Sequence, residues 1–350
     1  MSNKSENKTP LPFDPSKIRL VSKVQSIYSL MSRVKHDEIE TPTYQRSEIW
    51  SLQAKSRLIE SILVRIPIPV FYIDASNEDK WKIIDGLQRI TALKEFMVEK
   101  TLILDELEYV PDLNKSSFDK LPRTFQRRLE ETDITIIFIN AGTPENVKYN
   151  IFKRINTGGL PLSPQEIRHA LNDGPATPLL KKISKQSNFT DSWGKENDRM
   201  ENNELVLRGL GYWFLPLPLI HEKTLDDYLV EAMKAINRTN KKNRIIRVKK
   251  FLFAYQACIE IFQDQAFRKI SKQRRNTPNK NIYETWMAIL SQAEKHQIEK
   301  LIDKKEDVYN LFKELIEDKR YFYFIASRKP HTMASRHTEL QKQLEAIYND

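Results

Sequence analysis

The clearest alternation of apolar and polar positions lies between residues 66 and 100. The run IPIPVFYID (66–74) is apolar, carries two prolines, and then becomes β-rich. Residues 76–79 are a polar turn, and KWKIID (80–85) is a second strand-like run, so the pair predicts a hairpin. In QRITALKEFMVEK the apolar Ile90, Leu93, Phe96 and Met97 fall at helical spacing. Strand, Gly86, then helix is therefore the expected local order. Residues 133–139, DITIIFI, predict a buried strand, and 105–130, with Pro111 and Pro122, predict loops with a short helix.

Thr143 is placed to cap a helix that has Pro144 at its first position and runs through NVKYNIFKRIN to Gly158-Gly159. Ser163-Pro164-Gln165-Glu166 reads as a capping box opening a further helix through IRHAL. Beyond about residue 175 strand signals nearly vanish. Amphipathic helices are expected at 199–215, 225–237, 244–270, 281–296, 306–316 and 334–348. The expected architecture is α+β: a lead-in over 1–17 expected to be disordered, a mixed sheet with helices over 18–175, then an all-helical domain over 176–350.

No apolar run approaches the roughly 18 residues of a membrane helix, and the polar start MSNKSENKTPLPFDPSK has no signal-peptide core. A membrane role is therefore not expected. The single cysteine, Cys258, lies in the apolar run FLFAYQACIEIF. It is expected to be a buried, inert thiol in a reducing, cytoplasmic compartment. The net charge of +10 is uneven: residues 1–175 carry +1 and residues 176–350 carry +9. Two runs concentrate it. NRTNKKNRIIRVKK (237–250) has seven Lys or Arg and RKISKQRRNTPNK (268–280) has six, with no acid in either. They read either as solvated helix ends or as separate contacts to a polyanion such as DNA.

Three constellations carry candidate chemistry. In Asp85-Gly86-Leu87-Gln88-Arg89, Gly86 permits close backbone approach, Arg89 is placed to fork onto phosphate oxygens, and Asp85 could hold a metal ion or orient a water. Against that stands a plainer reading: Asp85 as an N-cap and Arg89 as a surface or salt-bridged residue. Tyr44-Gln45-Arg46 can present a stacking face and a cation, or be a turn with an anchored tyrosine. Arg154, Asn156, Thr157, Gly158 and Gly159 can form a phosphate-binding loop or simply a flexible helix terminus. Glu166 is accounted for by its cap; Arg168 is not. There is no GxxxxGK[ST], no HExxH and no Cys/His metal spacing.

Taken together, TPTYQRSEIWSLQAKSRLIESILVRIPIPVFYID, WKIIDGLQRITALKEF and IFKRINTGGLPLSPQEIRHAL resemble the N-terminal domain of GmrSD-type modification-dependent restriction systems. That family is the domain of unknown function 262, with a ParB/sulfiredoxin-like core. The resemblance implies a nucleotide-binding, NTP-hydrolysing sensor in antiphage defence that engages DNA. It places the activity residues at Asp85 and Arg89, and implies Mg²⁺ with Asp85 as its ligand. Tyr44, Gln45, Arg46, Gly86, Gln88, Arg154, Asn156, Thr157, Gly158 and Gly159 then bind the NTP. Leu87 departs from the family's usual glutamine: if that glutamine touches substrate the departure bears on activity, and if it only packs under the helix leucine is harmless. Many relatives carry an HNH nuclease domain; no such motif is seen here, so cleavage by that route is not expected. A non-enzymatic DNA-binding adaptor, or a regulatory partner of a separate nuclease, is the alternative, and homo-oligomerisation is left open.

Overall fold

In the computed structural model the described residues are 15–40, 50–155, 162–172, 174–194, 199–216, 224–270, 277–327 and 330–349. Their contacts divide the chain into two compact units, residues 1–162 and 163–350.

The first unit is built on a five-stranded mixed sheet in the order β1-β5-β3-β4-β2. The strands are β1 (Leu20–Ser26), β2 (Ile39–Glu40), β3 (Phe71–Ala75), β4 (Trp81–Asp85) and β5 (Asp133–Asn140). The expected hairpin is present. β3 and β4 pair antiparallel, with a bulge that sets Tyr72 opposite Asp85 and Ile73 opposite Ile83. β5 runs parallel to β3 and antiparallel to β1. Its alternation divides the strand between two buried faces. Ile134, Ile136 and Phe138 enter one core, while Ile139 is fully buried on the other side.

Helices α1 (Ile27–Lys35), α2 (Leu52–Leu63), α3 (Leu87–Leu93) and α4 (Arg123–Glu131) share the core on the Ile136 face. α1 buries Ile27, Leu30, Met31 and Val34, a stripe at helical spacing, and is capped by Ser26, whose hydroxyl accepts from the Ser29 amide at 3.2 Å. α3 continues as a π-helical turn over Lys94–Val98, not as the regular helix expected. Helix α5 (Glu145–Ile155) lies on the opposite face. Ile73 points into the first core, so its neighbour Asp74 points away from it, and Asp74 meets Lys148 of α5 at 2.9 Å. The Thr143 hydroxyl accepts the Arg19 amide at 3.1 Å, tying the entry of α5 to β1.

The second unit is helical: α6 (Pro164–Leu171), α7 (Ala176–Ser184), α8 (Ser187–Trp193), α9 (Glu201–Leu210), α10 (Leu225–Arg238), α11 (Lys241–Phe262), α12 (Lys280–Gln292), α13 (Lys295–Asp303), α14 (Lys305–Glu317), α15 (Lys319–Ala326) and α16 (Pro330–Asn349). The Ser163/Glu166 capping box is formed in full. The helix expected over 244–270 instead ends at Phe262, because Gln263 takes φ 49° and stops the ladder. Its C-terminal half buries Phe251, Ala254, Tyr255, Cys258, Ile261 and Phe262, and burial pushes the Cys258 thiol up, as expected of an inert thiol. Among the described residues no helix is long and apolar enough to cross a membrane.

Candidate functional site

The bulged end of β4 and the start of α3 assemble the Asp85–Arg89 constellation within the first unit. Gly86 turns the chain at φ 100° and is itself the N-cap of α3, without a side-chain cap. Asp85 is therefore not the cap. A Cβ on Gly86 would lie 2.4 Å from Cδ1 of Phe71 and 3.4 Å from Nη2 of Arg89, so neither the backbone nor the packing admits a side chain. Gly86→Ala is expected to cost about 2 kcal/mol, from a strained positive φ plus overpacking. Denaturant unfolding with an unchanged midpoint would contradict this.

Arg89 is buried and committed. Nη1 donates to the Pro69 and Val70 carbonyls, the latter at 3.3 Å. Nη2 donates to the Val70 carbonyl at 3.3 Å and to Oδ2 of Asp85 at 2.7 Å. The guanidinium lies over the Phe71 ring, 4.5 Å from its centroid. Burial lowers its pKa from the ordinary arginine value, and Asp85 opposes that loss. Each terminal nitrogen thus has two acceptors inside the protein. Of the two readings of Arg89 in the sequence, the geometry meets the salt-bridged one, and the free phosphate fork is not what this arrangement offers. Arg89 clamps the strand entry at 69–70 to the Asp85 carboxylate.

Asp85 is about one-third exposed. Among the described residues no hydrogen bond falls on its Oδ1, so one oxygen is held by Arg89 and the other has no donor among them. No group of three or more His, Cys, Asp or Glu converges anywhere among the described residues. Asp85 therefore belongs to no such cluster. Such a donor fits the way Mg²⁺ is commonly bound, through one or two carboxylates with substrate phosphates and water.

Oε1 of Gln88 accepts the Trp50 amide at 3.2 Å. Trp50 is the first described residue after position 49, and this bond fastens it to the first turn of α3. Tyr44, Gln45 and Arg46 lie outside the described residues, as do Asn156, Thr157, Gly158 and Gly159. Arg154 is exposed in the last turn of α5. Leu87 is half-buried and packs against the sheet unit's core.

The buried pair Lys148–Asp74 lies outside the three constellations. Nζ of Lys148 also donates to Oγ of Ser76 at 2.6 Å, which holds α5 to the start of the hairpin turn. Asp74 alternates with core residues in a strand and Lys148 follows a helix N-terminus, so neither is conspicuous alone. In the second unit Arg168, unexplained in the sequence, is fully buried. It donates to Oε1 of Gln165 at 2.9 Å, Oδ1 of Asp226 at 2.9 Å, and Oε2 of Glu204. Glu204 also receives Arg208, Arg208 reaches Glu284, and Glu284 receives Arg336 at 3.2 Å. Burial works to lower the Arg208 pKa, but Glu284 and Glu204 outweigh it and hold the group above its ordinary value. The network is internal to the helical unit and is structural.

The family model described as GmrSD restriction endonuclease, N-terminal domain, matches residues 27–172. No curated protein and no solved structure matches.

Proposed function

We propose, from the premise that residues 27–172 are a GmrSD-type N-terminal domain in a restriction or defence setting, that the chain binds and slowly hydrolyses an NTP and engages DNA. The observation that carries this reading is the clamped carboxylate. Asp85 sits at a strand end with Oδ2 held by a buried guanidinium, and no hydrogen bond among the described residues reaches Oδ1. A carboxylate fixed in direction but open on one side can orient a water for in-line attack on a terminal phosphorus. Phosphoryl transfer depends mostly on such positioning and on charge stabilisation.

Asp85 accepts a hydrogen bond from the attacking water and directs its lone pair at the terminal phosphorus. As the new bond to phosphorus forms, the bond to the bridging oxygen breaks, NDP leaves, and the water's proton passes to the carboxylate and on to solvent. Arg89 is a positioning residue: it sets the orientation of Asp85 and excludes water behind it. Alternatively Asp85 would hold Mg²⁺, which when bound neutralises charge on the phosphate oxygens. Arg154 at the end of α5 contacts phosphate. Tyr44, Gln45, Arg46, Gly86, Gln88, Asn156, Thr157, Gly158 and Gly159 are assigned to nucleotide binding on the family resemblance.

Equilibrium titration with each of the four NTPs tests the binding half. Arg154→Ala is expected to weaken the preferred NTP about tenfold or more, the loss of a charge-assisted hydrogen bond to phosphate. Equal affinity in wild type and variant would remove Arg154 from the site. The adaptor reading predicts DNA binding with no NTP affinity in either protein.

A further inference from the structure

The first three turns of α11 present a charged face that the fold does not use. Residues 241–250, KKNRIIRVKK, hold six basic residues and no acid. The helix sorts them into two sides. On one side, Nη1 of Arg244 donates to the carbonyls of Ile236 at 3.2 Å and Thr239 at 3.1 Å, which closes the end of α10. Arg247 lies over the Phe214 ring, 5.1 Å from its centroid. These two arginines fasten the helix to its own unit. On the other side Lys241, Lys242, Lys249 and Lys250 are exposed. Ile245 and Ile246 lie between them, 47% and 45% exposed. Among the described residues no ion pair reaches any of the four lysines. At 100° per residue the six side chains share an arc of about half the helix circumference.

The second basic run does not share this character. Arg268 is buried and donates to the carbonyls of Ala266 at 2.8 Å and Ser192 at 2.9 Å, while Lys269 lies over Phe322. Its leading cations have work inside the unit.

We infer that the exposed face of residues 241–250 docks on duplex DNA, with the lysine pairs on phosphates and Ile245 and Ile246 against the groove between them. This deepens the DNA-engagement part of the proposed function and rests on it. The two lysine pairs are eight residues apart, about 12 Å along the axis. That matches the width of the B-DNA major groove, so the pairs can reach phosphates on its two rims. The thymine methyl is the apolar group the groove offers to an isoleucine. Lysines with no ion pair among the described residues have none there to lose on binding, and their phosphate contacts release counterions.

Fluorescence anisotropy of a labelled 30-base-pair duplex over a salt series tests the inference, with NTP turnover measured separately without DNA. The variant Lys241→Gln, Lys242→Gln, Lys249→Gln, Lys250→Gln changes only exposed side chains and keeps helix-compatible residues. It is expected to bind more weakly and to flatten the slope of log K against log salt by about 3 to 4. The pair Ile245→Ser, Ile246→Ser is expected to weaken binding with the slope unchanged. An unchanged slope in the quadruple variant overturns the inference, and so does a wild type that binds anionic vesicles but not the duplex. If the slope flattens while the wild type shows no turnover, the docking face stands and the hydrolysis reading fails.

Discussion

Asp85→Asn is expected to lower NTP turnover at least about 100-fold while the protein still folds. A positioned group acting on the proton of an attacking water contributes on the order of 10²–10⁴ in rate, and asparagine cannot supply that basicity. It does keep an oxygen where Nη2 of Arg89 now meets Oδ2 at 2.7 Å. The cost to stability is then the difference between a charge-assisted and a neutral hydrogen bond to a buried guanidinium, about 1 kcal/mol. Arg89→Lys sharpens the test. Lysine keeps the charge, but a single ammonium cannot hold the Pro69 and Val70 carbonyls and Asp85 together as the planar fork does. The expected change is in kcat with KM nearly unchanged, because Arg89 acts through Asp85. A rise in KM alone would instead make Arg89 a direct phosphate ligand. Full turnover in Asp85→Asn would remove the carboxylate from the chemistry.

Glu284→Ala is expected to lower the melting temperature by about 6–20 °C. Glu284 is 3% exposed and bridges Arg208 and Arg336. Removing it leaves the buried Arg336 guanidinium facing a cavity without its carboxylate, while Arg208 keeps Glu204 alone. Breaking one partner of such a buried pair costs about 3–5 kcal/mol, and each kcal/mol moves the midpoint by about 2–4 °C in a unit of this size. The other end of the network behaves differently. Asp226 is over one-third exposed, and Arg168 keeps Glu204 and Gln165 without it, so Asp226→Ala is expected to shift the midpoint by about 2 °C or less. Equal melting temperatures for Glu284→Ala and the wild type, in scanning calorimetry, would show that the buried carboxylate contributes nothing net.

The elements legible in the sequence are those whose signals are local. The 76–79 turn between two apolar runs gave the β3–β4 hairpin, the alternation of 133–139 gave β5, and Ser163 with Glu166 gave the start of α6. β1 was not legible. LVSKVQS is exposed through most of its length and pairs on one side only, with β5, so it lacks the alternation that burial imposes. The stop at Gln263 was hidden for a related reason: a left-handed φ at a non-glycine residue leaves no mark in composition.

The candidate site divides the same way. Asp85 and Arg89 are four apart, so their pairing is implicit in the spacing. That Arg89 is buried depends on the 69–70 carbonyls, which only the folded hairpin brings to it. The buried network is less legible still. Glu204, Arg208, Glu284 and Arg336 each read as ordinary helical surface charges, and only packing α9, α12 and α16 together buries them. Only two of them carry a sequence signal, a charge within a largely apolar helical run: Arg208 in LVLRGLGYWF and Glu284 in IYETWMAIL.

The central claim is that the clamped Asp85 carboxylate serves NTP hydrolysis. The most direct measurement is inorganic phosphate release from each of the four NTPs by the full chain with Mg²⁺, with and without duplex DNA, beside Asp85→Asn prepared identically. The account predicts slow multiple-turnover release from at least one NTP in the wild type and its loss in the variant. Release that is equal in the two proteins, or absent from the wild type with every NTP in the presence and absence of DNA, would contradict it.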